Sequence, residues 1–178
     1  MPNTYYFHKG ETRCSIIDRM RKGMLDYVNT LWKNRNPSLP FRSKEEAIIL
    51  ASIVEKETAL PSERALIAGV FINRLKLNMR LQSDPTVAYG LNRANAKGLT
   101  KGDLKTDTPY NTYTKKGLPI GAIANPGKAS LYAVFHPEVT NYLYFVADGT
   151  GAHKFSSSLD EHNKFVANWR KIQKSSLQ

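Results

Sequence analysis

Ile48-Ile49-Leu50-Ala51-Ser52-Ile53-Val54-Glu55-Lys56-Glu57-Thr58 decides how this chain is read. A run that is apolar except for Ser52 ends in two glutamates two residues apart. Ser43 with Glu46 three residues on forms a capping box, which opens a helix running to about residue 60. On that helix Glu57 lies one turn after Ile53 and Val54 and one turn before Leu60 and Pro61, within an apolar stripe. Glu55 instead neighbours Ala51, Ser52, Thr58 and Ala59, a smaller and more polar setting. A carboxyl in apolar surroundings resists ionisation, and its pKa rises by about 1–3 units. A general acid for sugar cleavage at neutral pH needs that property. A structural ion pair of Glu57 with Lys56 or Arg64 would satisfy the same pattern.

Upstream, Ile16, Ile17, Met20, Met24, Tyr27, Val28, Leu31 and Trp32 recur at helical spacing, so residues 12–34 form an amphipathic helix. Asn36-Pro37-Ser38-Leu39-Pro40 ends it. Downstream, Pro61-Ser62 stops the central helix and caps the next, over residues 63–78. Regular structure thins across residues 80–126, where Asp84-Pro85 supplies an N-cap and first turn for a short helix to Tyr89. A loop region this long points to a binding surface or a flexible excursion. Residues 129–135 read as a short helix. Residues 142–147 read as a strand, apolar on both faces and so internal to a sheet, with residues 153–156 returning as its partner. Ser158 and Glu161 cap a last helix to about residue 174. The class is α+β, helices first and hairpin late, and residues 1–178 are expected to be one domain.

The 178 residues are 41% hydrophobic and 23% charged, enough for a packed core. Lys and Arg number 26 against 15 Asp and Glu, a formal charge of +11. Such an excess favours polyanions, among them nucleic acid, anionic lipid and cell-wall polymers. No basic recognition helix or aromatic-and-basic strand pattern supports a nucleic-acid partner. Cys14 is the single cysteine, which excludes an internal disulfide. His8, His136, His153 and His162 lack metal-ligand spacing, so no metal is expected. Asp148, His153 and Ser156 lie on one hairpin without a nucleophile elbow, and a triad is not inferred. No apolar run approaches the roughly 20 residues of a spanning helix. The opening Met1-Pro2-Asn3-Thr4-Tyr5-Tyr6-Phe7 reads like an interior segment of something longer.

Candidates for further site groups lie in Gln82-Ser83-Asp84 and in Tyr110-Asn111-Thr112-Tyr113. Asp84 is either a carboxylate of the site or a helix N-cap. Asn111 and Tyr113 offer an amide and a stacking face, useful for N-acetylated sugars, or else tie down turns.

Several blocks resemble the endolytic murein transglycosylases of the YceG-like family. They are residues 50–58, Val70-Phe71-Ile72-Asn73-Arg74-Leu75, Leu81-Gln82-Ser83-Asp84-Pro85-Thr86-Val87 and Tyr110-Asn111-Thr112-Tyr113 with Gly117-Leu118-Pro119. Ala124-Asn125-Pro126-Gly127, Tyr144-Phe145-Val146-Ala147-Asp148-Gly149, then Phe155 and Glu161-His162-Asn163 complete the order. Asn3 stands where the family's opening motif has Asp, a departure that bears on local structure.

The resemblance implies that the second glutamate of the Glu-Lys-Glu pair, Glu57, is catalytic. It implies cleavage of the MurNAc–GlcNAc β-1,4 bond of peptidoglycan with 1,6-anhydro ends, without any cofactor. Gln82, Ser83, Asp84, Asn111 and Tyr113 are then candidates for lining the glycan cleft. It also implies a preceding membrane helix and LysM-like subdomain, outside residues 1–178, and an extracytoplasmic catalytic part working beside peptidoglycan synthases. Two alternatives stay open: a muramidase-type hydrolase using Asp84 as second carboxylate, and a non-catalytic basic module binding glycan or nucleic acid.

Overall fold

The computed structural model describes residues 1–96 and 98–175. Among them are six α-helices and one two-stranded sheet, an α+β arrangement. Helix α1 (Arg13–Lys33) is capped by the Thr12 side chain, and α2 (Lys44–Glu57) by Ser43, whose Oγ accepts from the Glu46 N–H. Helix α3 (Arg64–Lys76) follows a 3-10 turn over Pro61–Glu63. Helices α4 (Asp84–Gly90) and α5 (Lys128–Phe135) bracket the long loop region, which contains a second 3-10 turn at Asp103–Lys105. Strands β1 (Tyr144–Ala147) and β2 (His153–Ser156) pair antiparallel with Phe145 opposite Phe155. Helix α6 (Leu159–Ser175) closes the described chain. No described helix is long and apolar enough to cross a membrane.

The core lies between α2, α3 and α5, where Leu50, Ile53, Val54, Ile67, Phe71, Leu131 and Val134 are fully buried. Helix α1 adds Val28 and Leu31 from its C-terminal half, while Ile17 and Leu25 stay exposed. The two glutamates that end α2 part company. Glu55 Oε2 accepts the Gly127 N–H at 3.0 Å, tying α2 to the start of α5, whereas Glu57 faces the other way.

Four expectations need correction. Helix α2 stops at Glu57, because Thr58 turns extended and its hydroxyl takes the Leu60 N–H. Pro61 opens the 3-10 turn and Glu63, without a side-chain capping bond, occupies the cap position of α3. The N-cap of α4 is Ser83, not Asp84, whose carboxylate is taken by Tyr113. The strand at residues 144–147 is not internal to a larger sheet. Its two apolar faces are covered by helices instead: Phe71 of α3 meets Phe145 edge-on at 5.7 Å, and His162 of α6 stacks on Tyr144 at 5.2 Å.

The hairpin is fastened to the helices mainly through α3 and the turn before it. Asn73 Nδ2 donates to the Thr140 and Tyr142 carbonyls at 2.9 and 3.0 Å. Buried Glu63 accepts the His153 backbone N–H and bonds its imidazole Nδ1, both at 2.7 Å. Upstream of the hairpin, the Glu138 N–H donates to the Ala65 carbonyl at 3.0 Å. That approach needs Gly69, since a Cβ there would lie 2.6 Å from the Glu138 carbonyl oxygen. Gly69→Ala therefore forces this segment off α3, and such overpacking costs about 1–3 kcal/mol. Thermal denaturation should show Tm falling by about 2–4 °C for each kcal/mol, and an unchanged Tm would contradict this packing.

Candidate active site

Glu57 is the last residue of α2, where the negative end of the helix dipole already disfavours a carboxylate. Its side chain is half-buried and opens onto a cavity of about 500 Å³. One wall of the cavity is Arg74 of α3 with Leu81, Gln82, Asp84 and Tyr113; the opposite wall is Tyr144–Val146 of β1 with Leu159, His162, Asn163 and Val166 of α6. The site thus sits in the seam between the helical body and the hairpin–α6 unit.

The segment before α4 delivers the nearest polar group. Gln82 adopts a positive φ of 52°, a left-handed conformation uncommon for a side chain of its kind, and donates its N–H to the Thr112 carbonyl at 3.1 Å. Ser83 N–H then donates to Thr112 Oγ1 at 3.0 Å, and Thr86 Oγ1 donates to the Ser83 carbonyl at 2.6 Å. Pinned on both sides, Ser83 directs its hydroxyl to Glu57 Oε1 at 2.5 Å. Tyr113 donates its hydroxyl to Asp84 Oδ1, also at 2.5 Å.

Burial pushes the Glu57 carboxyl up from its ordinary value of 4.5 to about 7. The Ser83 hydrogen bond opposes that rise, the Asp84 charge adds to it, and the Arg74 charge opposes it more weakly. The Glu57 carboxyl is raised by burial, as apolar surroundings lead one to expect, but not through the helix neighbours expected. Leu60 and Pro61 lie past the helix end, and the surroundings come from the apposed cavity walls. Among the described residues, Glu57 has no cation within ion-pair distance, so the pair with Lys56 or Arg64 does not form. Burial also raises the Tyr113 hydroxyl well above its ordinary range, followed by the hydrogen bond to Asp84. His162 is pushed down, first by burial and then by the Arg74 charge.

Of the other sequence candidates, Gln82, Asp84 and Tyr113 line the cavity, and Ser83 reaches it through Glu57. Asn111 does not line it. It is fully buried, with its amide nitrogen bonded to the Leu104 and Thr106 carbonyls and its oxygen to the Tyr113 N–H, so it sets the loop that presents Tyr113. Sequence reasoning gave no site role to Arg74, Tyr144, His162 or Asn163. The available signal was Asn73-Arg74 inside the apolar run from Val70 to Leu75, a polar pair where a core helix should have none.

A cavity of this size holding a carboxyl raised to about 7, in a small α+β fold, is an arrangement suited to acid–base chemistry. Comparison with known proteins gives the family. The YceG-like family model matches residues 1–168. The endolytic murein transglycosylase of Bacillus subtilis strain 168 is 42% identical over 164 residues, covering 92% of this chain and 45% of that protein. The protein of the same description from Streptococcus pneumoniae serotype 2 is 34% identical over 176 residues, covering 93% and 31% respectively. A crystal structure of a YceG-like protein from Listeria monocytogenes superposes with a TM-score of 0.78 at 40% identity, covering 92% of this chain and 53% of that one. The chain belongs to the YceG-like family. It spans about half or less of the length of these relatives.

The raised carboxyl has a consequence for stability. Folding raises the Glu57 pKa from 4.5 to about 7, so the native state binds this proton more tightly than the unfolded chain. The resulting stabilisation is complete below 4.5 and is lost as pH rises through about 7. Glu57→Gln carries no such dependence. Its stability relative to wild type should improve by about 2–3 kcal/mol from about pH 5 to about pH 8 in denaturant titrations. A difference that does not vary with pH would show that the carboxyl is not raised.

Proposed function

We propose that this chain is the catalytic domain of an endolytic lytic transglycosylase that cuts peptidoglycan glycan strands. The observation that carries the reading is a cavity-facing carboxyl, that of Glu57, raised to about 7. Its agreement with the relatives described as endolytic murein transglycosylases supports the substrate class.

Glu57, protonated, donates to the glycosidic oxygen between MurNAc and GlcNAc as the bond from that oxygen to the MurNAc anomeric carbon breaks. The resulting Glu57 carboxylate takes the proton of the MurNAc 6-hydroxyl. That oxygen bonds to the anomeric carbon, leaving a 1,6-anhydro end and returning Glu57 to its acid form. The nucleophile is part of the substrate, so no second carboxylate has to activate water. Ser83, bonded to Glu57 Oε1, orients the carboxyl through both halves. Gln82, Asp84 and Tyr113 on one wall and Asn163 on the other supply polar contacts to the sugars, while Tyr144 and Leu159 offer apolar faces. The net charge of +11 favours an anionic polymer as substrate. The activity places the domain outside the cytoplasmic membrane, beside the enzymes that extend the strands, where cleavage would end strand growth.

Mass spectrometry of isolated glycan strands tests this directly. Wild type should release 1,6-anhydroMurNAc-terminated fragments, and Glu57→Gln should reduce the rate by at least about a hundredfold. Reducing ends in place of anhydro ends would identify a hydrolase with Asp84 as partner. Binding without cleavage, unchanged by Glu57→Gln, would leave only a glycan-binding module. Because the acid form starts the reaction, kcat/KM should fall as pH rises through about 7; a limb near the ordinary carboxylate range would contradict the assignment.

A further inference from the structure

Helix α3 brings Arg74 into the same cavity as Glu57. The arginine is only 7% exposed, and among the described residues no carboxylate lies within ion-pair distance of it. Backbone carbonyls hold its fork: Nε donates to Leu143 at 2.6 Å, and Nη1 to Leu81 at 2.8 Å and Arg80 at 3.3 Å. Its Cζ lies 5.2 Å from the centroid of the Tyr144 ring. A guanidinium cannot lose its charge in a protein, and a buried cation without a counter-ion is unfavourable. Structural bracing of the β1 entrance explains the hydrogen bonds but not the need for a charge, since a neutral donor could serve the same carbonyls. Glu57 supplies the opposite charge only when it is ionised.

We propose that Arg74 is a positioning residue for Glu57: a fixed cation, kept out of hydrogen-bonding contact by three carbonyls, that stabilises the carboxylate left after proton donation. Direct contact would hold Glu57 ionised throughout and remove the acid. Charge acting across the cavity leaves burial dominant in the resting state, yet lowers the barrier to the carboxylate form. The other groups around the carboxyl do not duplicate this role. Asp84 of α4 opposes the carboxylate and is bonded to Tyr113, His162 of α6 is driven towards neutrality, Tyr144 of β1 carries no cation, and Lys56 points outward on α2. The proposal rests on Glu57 being the acid and base, and its test separates the two ideas.

Carbon-13 NMR of the Glu57 side chain reads its titration without requiring turnover. In Arg74→Gln, or in Arg74→Met should the Gln variant fail to fold, the Glu57 midpoint should rise by about one unit. The alkaline limb of kcat/KM should move with it, and kcat at neutral pH should fall about tenfold with KM little changed. Arg74→Lys, which keeps a cation, should restore most of the wild-type titration and rate. A folded neutral variant in which Glu57 titrates as in wild type would overturn the proposal, as would a Lys variant shifted as far as the neutral ones. Inactivity of Glu57→Gln is judged separately, so a failed assignment of the acid would not pass for a failed role of Arg74.

Discussion

Taking one carboxyl out of water, at the negative end of a helix, is the constraint around which this structure is arranged. Glu57 would ionise like any surface glutamate if the cavity walls were apart. The walls belong to parts of the chain far from α2 in sequence: α3, the Gln82–Asp84 turn, the Tyr113 loop, β1 and α6. Each carries a device that fixes its position, such as the left-handed Gln82, the Thr86–Thr112 hydroxyl pair at 2.8 Å, or the buried amide of Asn111. The polar interior around the site is thus spent on geometry, leaving desolvation to set the proton affinity.

Attachment of the hairpin is the second half of that arrangement. Asn73, Arg74 and Glu63 satisfy hairpin groups from one helix and its preceding turn, and Phe71 adds an edge contact to Phe145. Helix α6 rests on the hairpin, so whatever holds β1 and β2 also holds the outer wall of the cavity. The same helix therefore contributes packing, the hairpin's anchorage and a buried cation in the cavity that Glu57 faces.

Much of the fold was legible because local signals were strong. Capping boxes at Ser43–Glu46 and Ser158–Glu161 mark real helix starts, and apolar periodicity marks α1 to α3. Failures occurred where tertiary contacts override local chemistry. Asp84 looks like an N-cap but is claimed by Tyr113, and residues 142–147 look like an internal strand because helices cover both faces of the part that forms one, Tyr144–Ala147. The site was half legible. Glu57 stood out against its apolar neighbours and Gln82, Asp84 and Tyr113 lay in a loop of unusual composition. Arg74, His162 and Asn163 become neighbours only when the hairpin folds back onto α3, a long-range event that no spacing encodes.

The central claim concerns the proton on one side chain, and titration of the Glu57 carboxyl in the wild-type protein, followed by carbon-13 NMR, addresses it most directly. The account predicts a midpoint near 7. A midpoint at the ordinary glutamate value of about 4.3 would mean that water reaches the carboxyl freely, and would contradict the account.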